Sequence, residues 1–111
     1  MRPLSTKYKE VTTDSQPLDS KVCDLVILTA TPIKKDGTRI APDANGTYKT
    51  GANEILWGIA GGEAAHTLYI GESTPPIPVE NASQIVVRVP TLTAGQLVIF
   101  STFKEQKEQL I

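Results

Sequence analysis

The fold is decided by the stretch Ile55–Phe103, which reads ILWGIAGGEAAHTLYIGESTPPIPVENASQIVVRVPTLTAGQLVIFSTF. It contains short apolar runs, rich in β-branched and aromatic residues, with glycine, proline or asparagine between them. The predicted strands lie near residues 55–60, 65–70, 84–89 and 96–103. This rhythm is typical of an antiparallel sandwich or barrel, because alternating strands and helices would need longer periodic segments between the strands. The prolines at 75, 76 and 78 predict an extended link without ladder pairing.

Upstream of this stretch, Lys21–Thr31 reads KVCDLVILTAT and is apolar on both alternating sets of positions. That pattern predicts a strand buried on both faces, near residues 24–30. Cys23 is the sole cysteine and is expected to pack there as a small hydrophobic side chain. A single cysteine excludes an internal disulfide and a cysteine-based metal cluster.

The segment Pro32–Glu54 carries two turn dipeptides, Asp36-Gly37 and Asn45-Gly46. Asparagine, aspartate and glycine reach positive φ at low cost, so both dipeptides predict turns. Short strands are expected beside them, at residues 39–41 and 47–49.

Three parts are predicted along the chain. Residues 1–20 are polar, with prolines at 3 and 17, and are expected to form an N-terminal arm with at most a short strand at Lys9–Thr13. Residues 21–104 form the sandwich domain, and residues 105–111 a short polar C-terminal tail. The predicted fold class is therefore all-β, an antiparallel, jelly-roll-like β-sandwich with an extended N-terminal arm. The predicted core consists of Ile55, Trp57, Leu68, Ile70, Ile85, Val87, Leu97 and Ile99.

Composition limits the classes of function. The chain has 111 residues, 40% of them hydrophobic, and a formal net charge of -1. That length suits one domain, and the apolar content is too high for general disorder. The charge balance argues against a strongly basic nucleic-acid binder. No apolar run is long enough to span a membrane, and no secretory signal is recognisable at the start.

The sequence contains little that indicates catalysis. His66 is the only histidine, and an enzymatic role would need Glu63 or Glu72 to orient it beside a nucleophile. The acidic residues stand singly and lack the spacing of a calcium loop; Asp36 and Asp43 are explained as turn formers. A protein without catalytic residues, cofactor or metal is therefore expected. If His66 acts in catalysis after all, activity must disappear in His66→Ala.

The strands and links of Ile55–Phe103 resemble those of small β-sandwich virion proteins of tailed bacteriophages, namely head decoration or cement proteins and the capsid-proximal parts of head fibres. The resemblance rests on a strand ending in Tyr69-Ile70-Gly71, the proline-rich link Pro75–Pro78, a strand start at Asn81–Ile85 and a final strand at Leu97–Phe103. The Leu25–Ala30 strand fits the same scheme.

The resemblance implies a capsid decoration protein on the exterior of the virion, made in the host cytoplasm. Its partners would be the major capsid protein or other virion proteins, and itself as a homo-oligomer, with a trimer favoured. Tyr8, Val11 and Leu18 of the arm are the predicted interface residues, and loops 33–54 and 72–82 the predicted outward surface. The alternative is a glycan- or receptor-binding module of a virion or bacterial surface protein that uses Tyr48 and Tyr69.

Overall fold

The computed structural model describes residues 2–48, 54–59, 66–90 and 96–105. These residues form eight strands and one short 3-10 helix, η1 (Ala82–Gln84). The strands are β1 (Arg2–Glu10), β2 (Gln16–Pro17), β3 (Leu25–Ala30), β4 (Glu54–Ile59), β5 (His66–Tyr69), β6 (Ile77–Pro78), β7 (Ile85–Arg88) and β8 (Leu97–Lys104). No helix in the described ranges has the length and hydropathy needed to cross a membrane.

The strands form two four-stranded antiparallel sheets, with the orders β1-β8-β3-β6 (sheet 1) and β2-β7-β4-β5 (sheet 2). Each strand of the first half pairs with its counterpart counted back from the end: β1 with β8, β2 with β7, β3 with β6, and β4 with β5. This is the connectivity of one long antiparallel ribbon rolled into a double sheet, a jelly roll. The predicted all-β sandwich is therefore confirmed.

The core lies between the sheets and follows the two-residue period of the strands. In β3, Val26, Leu28 and Ala30 are fully buried while the alternate residues are half-exposed. In β8, Val98 and Phe100 fill the same layer. The prediction that β3 is buried on both faces is therefore wrong, because its alternate residues are only partly buried.

Most of the predicted core is confirmed, with one error of phase. Ile55, Leu68, Ile70, Ile85 and Val87 are buried. Trp57 is half-buried and packs against this cluster. However, Leu97 and Ile99 point away from the core. Buried and half-buried residues alternate along β8, and the buried ones here are Val98 and Phe100.

The N-terminal segment is part of the sandwich rather than an arm. β1 pairs along its length with β8, through a register shift between Pro3 and Ser5. β2 pairs with β7. Val11 and Leu18, the apolar residues on either side of β2, are buried at 2% and 3% exposure. The described residues of the predicted arm thus contribute strands to both sheets and side chains to the core.

The links between the strands agree in part with the sequence. Gly37 and Gly46 have positive φ, which confirms the two predicted turns. Residues 39–41 form no strand, only an isolated bridge between Ile33 and Arg39. Ile77–Pro78 pairs with β3, so the expected unpaired link is wrong at that point; β6 is an edge strand, where a proline is tolerated. Of the predicted tail, all but Glu105 lies outside the described residues.

Two polar side chains are buried in this core, one without and one with a hydrogen-bond partner. Gln96 is 0% exposed, and within the described ranges neither Nε2 nor Oε1 of its amide has a partner. Thr102 is equally buried, but its hydroxyl lies 2.8 Å from the Ser5 hydroxyl. An unsatisfied buried polar group destabilises the folded state, whereas a bonded one does not.

We expect Gln96→Met to raise the free energy of unfolding by about 1 to 2 kcal/mol, since it removes an uncompensated amide at similar volume. Thr102→Val is the matched control and should lower it by about 1 kcal/mol, because it leaves the Ser5 hydroxyl without its partner. Urea denaturation of the three proteins measures both changes. A loss of stability in Gln96→Met similar to that in Thr102→Val would contradict the conclusion that the buried Gln96 amide destabilises the fold.

Candidate functional site

The outer side of sheet 1 carries partly buried and exposed apolar side chains on three neighbouring strands, with Thr29 and Ser101 among them. Its residues come from the half-exposed positions of β3 and β8 and from β1 beside them. The register places Tyr8 opposite Ile99 and Leu25 opposite Phe103. We call this surface the apolar face; its members are Tyr8, Leu25, Ile27, Leu97, Ile99 and Phe103.

The two sheets differ in the character of their outer sides. The outward positions of β3 and β8, the two central strands of sheet 1, hold only apolar and hydroxyl side chains, the latter being Thr29 and Ser101. The outer side of sheet 2 includes Glu54 and Arg88. An uncharged strip on the outer side of a sheet is a candidate interaction surface.

A second feature is a groove of about 290 Å³ at the open edge of the sandwich. One wall is an aromatic pair at the end of the β4–β5 hairpin, where the register places Trp57 opposite His66. Their rings are stacked, with centroids 4.5 Å apart and an angle of 27° between the planes. Trp57 is anchored against the core, whereas His66 is exposed.

The connection between β5 and β6 also lines the groove and supplies Glu72, Ser73 and Thr74. Glu72 Oε1 accepts a hydrogen bond of 2.9 Å from the Tyr69 backbone N–H. The Ser73 hydroxyl lies 2.7 Å from the Thr29 hydroxyl. Thr74 accepts from the Leu28 N–H through Oγ1, and its own N–H donates to the Leu28 carbonyl. These bonds fasten the connection to β3 and hold the polar groups at the groove.

The residues predicted as interface and recognition sites are distributed over different parts of the molecule. Tyr8 is 66% exposed and belongs to the apolar face. Val11 and Leu18 are core residues, so the prediction that they contact a partner is wrong. Tyr48 packs against the core cluster, while Tyr69 occupies an outward position of β5 beside Glu54. The two tyrosines therefore do not form one platform.

The residues that an enzymatic role would need were His66 with Glu63 or Glu72. His66 and Glu72 line the same groove, but the imidazole is stacked on an indole; Glu63 lies outside the described residues. Within the described ranges, no group of three His, Cys, Asp or Glu side chains is placed to hold a metal ion. Cys23 is fully buried, as predicted, and burial raises the pKa of its thiol, with a smaller contribution from the nearby Asp24.

The loop after β3 uses its aspartates as turn formers. Asp36 Oδ1 accepts from the Thr38 N–H at 2.8 Å. Asp43 accepts through Oδ1 from the Asn45 and Thr47 N–H groups and through Oδ2 from the Thr47 hydroxyl, at 2.9, 3.0 and 2.8 Å. Hydrogen bonds from Thr47 and Asn45 stabilise the ionised form and lower the pKa of Asp43 from its ordinary value of 3.8.

We expect the Asp43 carboxyl to titrate below pH 3.8, and we expect Thr47→Val to move its pKa back toward that value because the hydroxyl donor is lost. Since the folded-state pKa is lowered, the contribution of this group to stability is complete above the unfolded-state pKa and is lost as the pH falls through the folded-state pKa. Carboxyl-detected NMR titration measures both midpoints. A midpoint at or above 3.8 in the unsubstituted protein would contradict the turn geometry.

Comparison with protein-family models, with curated proteins and with solved structures finds no match to this chain. Both surfaces are therefore defined by the fold and the geometry alone. Neither surface was predicted as a unit: the apolar face depends on the phase of β8, and the groove depends on the β4–β5 register. For the apolar face, the four consecutive apolar residues Leu97–Phe100 were a hint in the sequence that both sides of β8 are apolar. For the groove, nothing in the sequence indicated that Trp57 pairs with the lone histidine.

Proposed function

We propose that this protein is a capsid decoration or cement protein of a tailed bacteriophage, which binds the head shell through the apolar face of sheet 1. The observation that carries the proposal is the strip of uncharged, half-exposed side chains on β3 and β8. Its support from the sequence is the resemblance of Ile55–Phe103 to small β-sandwich head proteins. The jelly roll is compatible with it, since this architecture recurs in viral capsid domains.

The chemistry of the apolar face favours a protein partner. Its centre is aliphatic and aromatic, with hydroxyl groups beside it and Glu10 at its border on β1. Protein interfaces have this arrangement, an uncharged centre surrounded by polar groups. A nucleic acid would require a basic surface, whereas the formal net charge of the chain is -1.

The function of such a protein is to stabilise by binding, and the proposal assigns no reaction to it. A ligand that binds the assembled shell but not the dissociated subunits shifts the equilibrium toward assembly. At a free concentration one hundred times its dissociation constant, the gain is about 2.7 kcal/mol for each site. Many such sites on one shell would together resist opening.

A homo-oligomer, with a trimer favoured, belongs to the same proposal. β1 is the outermost strand of sheet 1 and is nine residues long. Edge strands of that length must be paired, covered or charged. Lys7 and Lys9 charge this edge in the single chain, with Lys7 in an ion pair of 3.0 Å to Asp19, and pairing with a second copy would in addition satisfy the free backbone groups of an edge strand. In a trimer, this edge would lie against the neighbouring subunit on the shell.

Quantitative mass spectrometry of heads purified from the source tests the proposal. We expect the chain to be present in a fixed ratio to the major shell protein and to stay with the heads through density-gradient purification. When the chain is stripped from the particles, the shells should become less stable. Its absence from particles, or its presence in trace amounts that vary between preparations, would refute the proposed location.

A further inference from the structure

The groove between the β4–β5 hairpin and the β5–β6 connection has the composition of a saccharide site. None of its residues belongs to the apolar face, so a ligand there and a partner on sheet 1 do not compete for the same side chains. We propose that the groove binds one neutral pyranose ring, against the Trp57–His66 pair and within reach of Glu72 and Ser73. This activity is independent of the proposed function in assembly.

The size of the groove selects a small ligand. Its volume of about 290 Å³ is at the lower end of ligand sites, which are typically about 300 to 1,000 Å³. A single sugar ring fits that volume, whereas an extended oligosaccharide would have to project into solvent at one end.

The aromatic and the polar parts of the lining match the two kinds of surface that a sugar presents. A pyranose has C–H groups on the faces of its ring and hydroxyl groups around the edge. The exposed imidazole of His66, backed by the Trp57 indole on which it stacks, offers its outer face to the C–H groups, and aromatic side chains with a polar atom serve this purpose well. Glu72, Ser73 and Thr67 supply an acceptor and hydroxyl groups for the edge.

The rigidity of the site reduces the cost of binding. Trp57 packs against the core, and Glu72 is fixed by the Tyr69 N–H. The Ser73 and Thr74 side chains are bonded to β3. Groups that are already ordered lose little conformational entropy when a ligand binds.

The charge of the groove decides which sugars bind. Glu72 is the only charged carboxylate among the described lining residues, so an anionic sugar would meet like charge, while hydroxyl donors would meet a strong acceptor. We therefore expect neutral hexoses or N-acetylhexosamines and not uronic or sialic acids.

Intrinsic fluorescence tests the proposal directly, because Trp57 is the only tryptophan. The probes are the methyl glycosides of glucose, galactose, mannose and N-acetylglucosamine, with methyl glucuronide as the anionic comparison. At least one neutral glycoside should change the emission saturably, with a dissociation constant on the order of 1 mM, and the glucuronide should bind about fivefold or more weakly. Saturation-transfer NMR confirms contact with the ligand.

Substitutions locate the binding and separate it from the alternatives. Glu72→Gln keeps an oxygen for the Tyr69 N–H and should weaken binding about tenfold; His66→Ala should weaken it about fivefold. Glu80→Gln, which changes an exposed carboxylate outside the groove, and Tyr69→Ala, on the outer side of sheet 2, should leave it unchanged. Thermal unfolding confirms that each variant is folded.

Three results would overturn the proposal. The first is the absence of a saturable response to all four neutral glycosides up to about 50 mM, well above the expected dissociation constant. The second is tighter binding of the glucuronide than of its neutral counterpart. The third is binding that survives in both Glu72→Gln and His66→Ala or is lost in Tyr69→Ala.

Discussion

Replacement of Phe100 by alanine is expected to lower the free energy of unfolding by about 3 to 5 kcal/mol. Phe100 lies on the inner side of β8, is 2% exposed and is among the largest buried side chains of the described core. β8 stands between β1 and β3, so its neighbours are held in ladders on both sides and cannot readily close the cavity. The cost therefore includes both the lost transfer free energy and the cavity.

Phe103→Ala is the matched control, since it removes the same side chain from the same strand. Phe103 lies at a half-exposed position of the apolar face, so its removal should cost only about 1 kcal/mol, in line with the smaller area it buries. Urea denaturation followed by circular dichroism measures both variants. Equal losses would contradict the assignment of the inner and outer sides of β8. Both variants are measured at about 25 °C, because the expected loss in Phe100→Ala is a large share of the about 5 to 15 kcal/mol by which domains of this kind are stable.

Replacement of Ile99 by lysine is expected to weaken binding to heads by about 100-fold or more. Ile99 is near the middle of the apolar face, opposite Tyr8 on one side and Thr29 on the other. A charge placed at the desolvated centre of an interface meets no compensating partner, and such central positions dominate binding energies. The stability of the isolated protein should change little, because the side chain points away from the core.

Val86→Lys is the control for this experiment. Val86 occupies a half-exposed position of β7 on the outer side of sheet 2, so the same kind of substitution is made on the opposite sheet. Binding of the purified proteins to stripped heads, measured by co-sedimentation over a range of concentrations, should distinguish them. If Val86→Lys loses binding and Ile99→Lys keeps it, the shell contacts sheet 2 and the proposed surface is wrong.

The sequence predicted the sandwich because turn residues separate the apolar runs, but it could not give the phase of the last strand. Leu97–Phe100 are four consecutive apolar residues, so both alternating sets look equally suited to the core. Pairing with β3 decides between them: Phe100 stands opposite Leu28, and Ile99 opposite Thr29. That register is a tertiary property, and a one-residue shift would exchange the two sides.

The N-terminal segment was predicted as an arm because its composition is polar, and the structure shows why composition is misleading there. β1 is an edge strand of sheet 1, and Lys7 reaches Asp19 instead of entering the core. An edge strand needs few apolar residues, since one of its sides faces solvent. Val11 and Leu18 are the fully buried residues of this region, and Leu4 packs beside the core; three apolar residues so far apart do not form a recognisable periodic pattern.

The groove lay beyond sequence reasoning for a similar reason. Trp57 was predicted as a core residue, which its packing against the cluster bears out, and His66 is exposed beside it. That the two rings stack follows from the β4–β5 register. Cross-strand partners separated by a link of this length are not specified by either segment alone.

The most direct test of the central claim is a cryo-electron microscopy reconstruction of heads saturated with the protein. We expect ordered density for the jelly roll on the outside of the shell, with β3 and β8 facing the shell and the side chains of Leu25, Ile27 and Ile99 within contact distance of it. Density in which sheet 2 or the loops face the shell, or heads that carry no added density at saturating concentration, would contradict the account.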